Sequence, residues 1–151
     1  MRKTFVTLVT VAFLCLVAPG GAGAGEEPTR QVLGAVYTTH LQGMKDKNLA
    51  VVIDTLHPGS PAFASAKASI AQTMINFDLA YKITDFQLVG VSGDFAVIRV
   101  KLETRKVGGA AQSEDNELDS LQIFRRTPEG KWKIWSSSVL QVRPLNPPSG
   151  K

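Results

Sequence analysis

Tyr37 and His40 are the two side chains of this 151-residue sequence best placed to do chemistry together. They stand three residues apart, so on a helix they share a face with Val32, Leu33, Val36, Leu41 and Met44. A phenol and an imidazole on an apolar stripe need partners for their polar tips. The plainer reading has both at the edge of a core, bonded to backbone or water. His57 follows Asp54 by three, a spacing that suits an acid–base or metal-ligating pair. The simpler expectation is a solvated or capping Asp54 and a His57 cation at the end of a helix, where its charge suits the dipole. Glu114-Asp115-Asn116-Glu117 with Asp119 offers carboxylate oxygens for calcium. It lacks the spacing and central glycine of a calcium-binding loop, so a solvated loop is expected.

Other chemistry is excluded by missing residues. The sequence has no GxGxxG, GxxxxGKS/T, HExxH or GxSxG pattern, which removes dinucleotide, nucleotide, zincin and α/β-hydrolase mechanisms. A single cysteine, Cys15, excludes a disulfide framework and a cysteine metal cluster. No cofactor and no metal are expected. The net charge of +4 falls to +2 without Arg2 and Lys3, too little to imply nucleic acid. Arg99, Lys101, Arg105, Arg125, Arg126, Lys131 and Lys133 around Trp135 could suggest an RNA platform. Cross-strand pairing with Glu103, Asp119 and Glu129 explains the same pattern more simply.

The elements that must position these groups divide into two periods. Apolar residues recur at three and four from Thr29 to Met44, giving a first helix. Leu49 to Leu56 reads as a short second helix stopped by His57-Pro58-Gly59. Ser60-Pro61 reads as the cap and first residue of a third, with Phe63, Ala66, Ile70, Met74 and Phe77 on one face and Asp78 closing it. The period then becomes two, and Tyr81–Val91, Phe95–Val107, Leu118–Thr127 and Trp132–Arg143 read as strands. Turns at Val91-Ser92-Gly93-Asp94 and Thr127-Pro128-Glu129-Gly130 join the outer pairs into hairpins. Helices followed by an antiparallel meander predict an α+β fold, with helices packed on one face of the sheet.

At the N-terminus, Met1-Arg2-Lys3, an uncharged apolar run from Thr4 to Ala18 and then Ala22-Gly23-Ala24 have the form of a signal peptide cut after Ala24. The expected product is a periplasmic or secreted chain of 127 residues with no membrane attachment. Its domain should span residues 25–143, with residues 144–151 as a disordered tail.

The helix order, the His57-Pro58-x-Ser60-Pro61 turn, Gly93-Asp94-x-Ala96 and Gly130-x-Trp132-Lys133-Ile134 resemble the nuclear transport factor 2-like superfamily, including its SnoaL-like members. The likeness runs from Thr29 to Val142. It implies a cone in which a curved, cystatin-like sheet wraps a long helix around an apolar pocket, a fold shared by isomerases, dehydratases, cyclases and proteins without known activity. In the ketosteroid isomerases a tyrosine of the first helix donates to the developing oxyanion and a later aspartate removes the proton. Tyr37 suits the first role, and Asp54 is the candidate for the second. The sequence departs from the enzymes where a helix replaces a hairpin that helps wall the pocket, which argues against a deep cavity.

Several expectations follow. If the sheet curls around the first helix, Tyr37, His40, Met44, Phe77 and Phe124 should line a pocket for a small apolar ligand. His40 should then titrate below its usual ~6.5. Trp132 and Ile134 should face the core, leaving Trp135 with Val97 and Val139 on the opposite face as a homodimer interface. The favoured function is a non-catalytic module that binds a small ligand or its own copy. The alternative is a cofactor-independent isomerase or dehydratase using Tyr37, His40 and Asp54.

Overall fold

The computed structural model describes residues 26–146. The expected signal peptide and residues 147–151 of the expected tail lie outside the described residues. Three helices, α1 (Glu26–Lys45), α2 (Leu49–Thr55) and α3 (Phe63–Asn76), precede four strands. These are β1 (Asp78–Ser92), β2 (Phe95–Gly108), β3 (Asn116–Arg126) and β4 (Trp132–Pro144), paired as an antiparallel meander in the order β1-β2-β3-β4. Every expected element is present.

The core forms where the helical stripe meets the inner positions of the sheet. Leu33 and Tyr37 of α1 pack with Ala96, Ile98, Val100 and Leu102 of β2, Phe124 of β3, and Trp132 and Ile134 of β4. Leu33, Ile98, Val100 and Phe124 are fully buried, each contributing about 1.5–3 kcal/mol of apolar burial. Alternate residues of β2, among them Arg99, stay outside, as expected of a sheet with one covered face.

The sheet curves because its ladders are interrupted. Register shifts occur in β1 against β2 near Thr84 and Val89, and in β4 at Trp135 and Leu140. Each inserted residue bends its strand and increases the local twist. The β4 bulge at Trp135 has a second effect. Ile134 pairs with inward-facing Phe124, but Ser137 and Val139 pair with inward-facing Gln122 and Ser120. The alternation has slipped by one, so Val139 belongs to the concave face and not to the outer face expected of it. It remains 56% exposed there, near the free end of the cone.

The start of α3 also differs from expectation. Ser60 does not cap the helix, which begins at Phe63. Its hydroxyl accepts from Ala62 N–H at 3.2 Å and donates to the Trp135 carbonyl at 2.6 Å, clamping the α2–α3 turn to β4. Beside it, Leu56 forms a parallel bridge with Ile134, and His57 N–H donates to the Ile134 carbonyl at 2.8 Å. This segment covers part of an otherwise free sheet edge. Phe77, not Asp78, closes α3, and Asp78 opens β1 with an ion pair to Lys47. At the other end, Pro144 still pairs with Asn116, and Leu145 N–H donates to the Asp115 carbonyl at 2.9 Å, so the sheet extends just past the expected domain boundary.

Candidate functional site

Between α1, α3 and the concave face lies a cavity of about 450 Å³. Tyr37, His40, Leu41 and Met44 of α1 form one wall, and Phe63, Ala66 and Ile70 of α3 form another. Tyr81, Leu118, Gln122 and Ile134 line the sheet side. The expected third helix, which stands where the enzymes of the resembling superfamily have a hairpin, supplies a wall, so the cone holds a cavity that this departure spoke against. A helix at this place can present a face of small and apolar residues as readily as a hairpin can.

Tyr37, His40 and Met44 line the cavity as their spacing implies. Phe77 and Phe124 do not. Phe77 ends α3 and is not among the lining residues, and Phe124 is 0% exposed in the core cluster that also holds Leu33, between its strand partners Ala96 and Ile134. Tyr81 and Gln122 were missed. The signal for Gln122 lay in the alternation: Leu118, Ser120, Gln122 and Phe124 all point inward, and polar side chains at core positions of a strand are rare enough to mark a site. The Gln122 amide bridges the hydroxyls of Ser120 and Ser137 at 3.0 and 2.8 Å.

Three aromatic polar groups stand open at this apolar surface, beside the hydroxyls of Ser69 and Ser136. Among the described residues nothing bonds the hydroxyls of Tyr37 or Tyr81, and neither oxygen is sealed away. Burial, assisted by Tyr81, pushes the Tyr37 phenol up to about 12, and burial does the same to Tyr81. Both stay protonated donors. The third group is His40, whose ring lies parallel to that of Tyr37 with centroids 6.4 Å apart. Its Nδ1 is 2.8 Å from Thr55 Oγ1, and burial lowers its pKa to about 4. The imidazole is therefore neutral at neutral pH.

Asp54 is elsewhere. Its carboxylate is 86% exposed and ion-paired with Lys133 at 2.9 Å, and it does not line the cavity. No aspartate or glutamate lines it. Asp54 and His57 do not form a dyad either. His57 Nδ1 accepts from Gly59 N–H at 3.1 Å, and its ring meets the edge of Trp135. Burial and the Arg125 charge lower its pKa, so it is a neutral structural acceptor and not the helix-end cation expected. Among the described residues no group of three or more His, Cys, Asp or Glu could hold a metal ion.

The charged residues of the sheet pair across strands. Arg99 grips Asp119 with two bonds of 2.9 and 2.6 Å, which hold the carboxyl below its usual range. Asp115 accepts from Lys106 N–H at 2.9 Å. Val97 pairs with Ile123 on the outer face. Trp135, the bulged residue, is half-buried: it is among the residues lining the cavity, while its ring stands edge-on to outer-face Phe95 with the Arg125 guanidinium 4.7 Å from it.

Residues 35–145 match the family described as the C-terminal domain of the anti-sigma-I factor RsgI9. The chain belongs to that family. No curated protein matches the sequence. Among solved structures it is similar to a nuclear transport factor 2-like superfamily protein from Salmonella enterica, at 14% identity and a TM-score of 0.65, covering 83% of this chain and 99% of that one. It is similar as well to a candidate dehydratase of the same superfamily from Streptomyces avermitilis, at 22% identity and a TM-score of 0.59, over 76% and 98% of the two chains. A ketosteroid isomerase-like protein from Erwinia carotovora shows 23% identity and a TM-score of 0.51, over 78% and 98%. These likenesses establish the nuclear transport factor 2-like cone, as expected. In this member of the RsgI9 C-terminal family, α3 walls the cone. Among its described residues no helix is long and apolar enough to cross a membrane.

Proposed function

We propose that this domain is a non-catalytic binding module that holds a small, mostly apolar molecule in the cavity between α1, α3 and the sheet. One observation carries the reading: the cavity has tyrosine hydroxyls and an imidazole nitrogen without protein partners but no carboxylate to act as a proton acceptor. Such groups orient a ligand. A binding role also suits a family named for a regulatory factor and not for an enzyme.

The second reading, an isomerase or dehydratase, draws on the candidate dehydratase and ketosteroid isomerase-like neighbours and on Tyr37 at the position the resemblance implies. Its base would have to be His40. A histidine with a pKa of about 4 accepts a proton poorly at neutral pH.

The neutral dye N-phenyl-1-naphthylamine tests the first reading by its emission on entering an apolar site. Saturable enhancement, lost on filling the cavity by Ala66→Trp or Ile70→Trp, is expected. Absence of binding, or binding unchanged in both variants, would overturn it.

Export with cleavage after Ala24 and self-association through the outer face around Val97 and Trp135 complete the proposal. Intact mass of the exported chain checks the first: a mass beginning at Gly25 is expected, and one retaining residues 1–24 counts against it.

A further inference from the structure

We infer that the cavity selects a neutral ligand whose hydroxyl donates a hydrogen bond to Nε2 of His40, and that Thr55 enforces this choice by fixing the histidine tautomer. This rests on the binding role proposed above and specifies its ligand.

Thr55 Oγ1 lies 2.6 Å from the Val52 carbonyl oxygen and 2.8 Å from His40 Nδ1. A hydroxyl has one proton, and a carbonyl can only accept, so that proton goes to Val52. The threonine oxygen facing His40 is then an acceptor, and Nδ1 must carry the imidazole hydrogen. Nε2 is left with a bare lone pair. No described residue bonds it, it is not sealed away, and His40 is one of the residues that line the cavity. Thr55 is the last residue of α2 and bonds back into the same turn, so helix geometry holds the relay in place.

The rest of the lining narrows the ligand further. None of the lining side chains carries a formal charge at neutral pH, so a carboxylate or ammonium group would lose its hydration without a counter-ion. The Tyr37 and Tyr81 hydroxyls can donate to a ligand oxygen. An alcohol or phenol can therefore accept from a tyrosine and donate to His40. A ketone or ether can only accept, and leaves Nε2 unpaired.

Calorimetric titration of the chain with 2-naphthol, 2-methoxynaphthalene and 2-naphthoate tests this. We expect 2-naphthol to bind about tenfold more tightly than the ether, with the carboxylate weakest. Thr55→Val should bring the naphthol-to-ether ratio toward unity, and Thr55→Ser should restore it. Nitrogen-15 NMR should show His40 protonated at Nδ1 in the wild type and in Thr55→Ser, but not uniformly so in Thr55→Val. Equal affinities for naphthol and ether, or an Nε2–H tautomer in the wild type, overturn the inference while dye binding still supports the cavity. Failure of both neutral naphthalenes and of the dye overturns the binding role itself.

Discussion

Lys133 Nζ lies 2.9 Å from Oδ1 of Asp54 and also donates to the Asp54 backbone carbonyl. One ammonium thus ties the C-terminal turn of α2 to β4 and keeps the Asp54 carboxylate turned away from the cavity. The Lys133 hydrogen bond and charge hold that carboxyl below its usual range. An exposed pair of this kind is worth about 0–1 kcal/mol. Asp54→Asn should therefore cost little in urea unfolding and leave dye affinity unchanged. Loss of binding in that variant would return Asp54 to the site and revive the enzymatic reading.

Stability should depend on pH through His40. Its pKa of about 4 in the fold is below the usual 6.5, because burial disfavours the imidazolium. Between those values the unfolded chain binds a proton that the folded chain refuses, so stability rises with pH. The contribution, on the order of 3 kcal/mol, is complete above pH 6.5 and is lost as pH falls through about 4. Burial of His57 acts in the same direction. Urea unfolding from about pH 7 to about pH 4 should show this slope, and His40→Gln should flatten it. An unchanged slope in the variant would mean that His40 is open to water.

Gly43 of α1 packs closely against α2. A Cβ placed there would lie 2.7 Å from Val52 Cγ2 and 3.1 Å from Val51 Cγ1. Val52 is fully buried and cannot swing aside. Gly43→Ala should thus destabilise by about 1–3 kcal/mol, despite the better helix propensity of alanine. Gly43→Ala with Val52→Ala should recover part of that loss relative to Val52→Ala alone. Thermal unfolding of the three variants measures it, and a stabilised Gly43→Ala would refute the close packing.

Self-association, as proposed, uses the outer face around Val97 and Trp135. Trp135 is already braced by Phe95, Arg125 and His57, so its ring is held in one orientation for a partner. Sedimentation should show a dimer weakened at least several-fold by Trp135→Ala and unaffected by Val139→Ser, since Val139 is on the other face. A monomer at all accessible concentrations ends the proposal.

Much of this fold could be read along the chain because its signals are local. The stripe on α1, the inward set of β2 and the glycines at φ 57 and φ 81 in the two hairpin turns depend only on helix period, pleat and turn geometry. The pairing of Tyr37 with His40 on one wall followed from the same period. What lay beyond reach depended on contacts between distant segments. One inserted residue at Trp135 moved Val139 to the concave face, and no periodicity announces a bulge before the ladder around it exists. The cavity wall of α3, the diversion of Asp54 to Lys133 and the Thr55 hydroxyl beside His40 each join residues 15 or more apart in sequence or place a helix against a sheet. Residue types specified which groups could do chemistry, and the closing of the cone decided which of them meet.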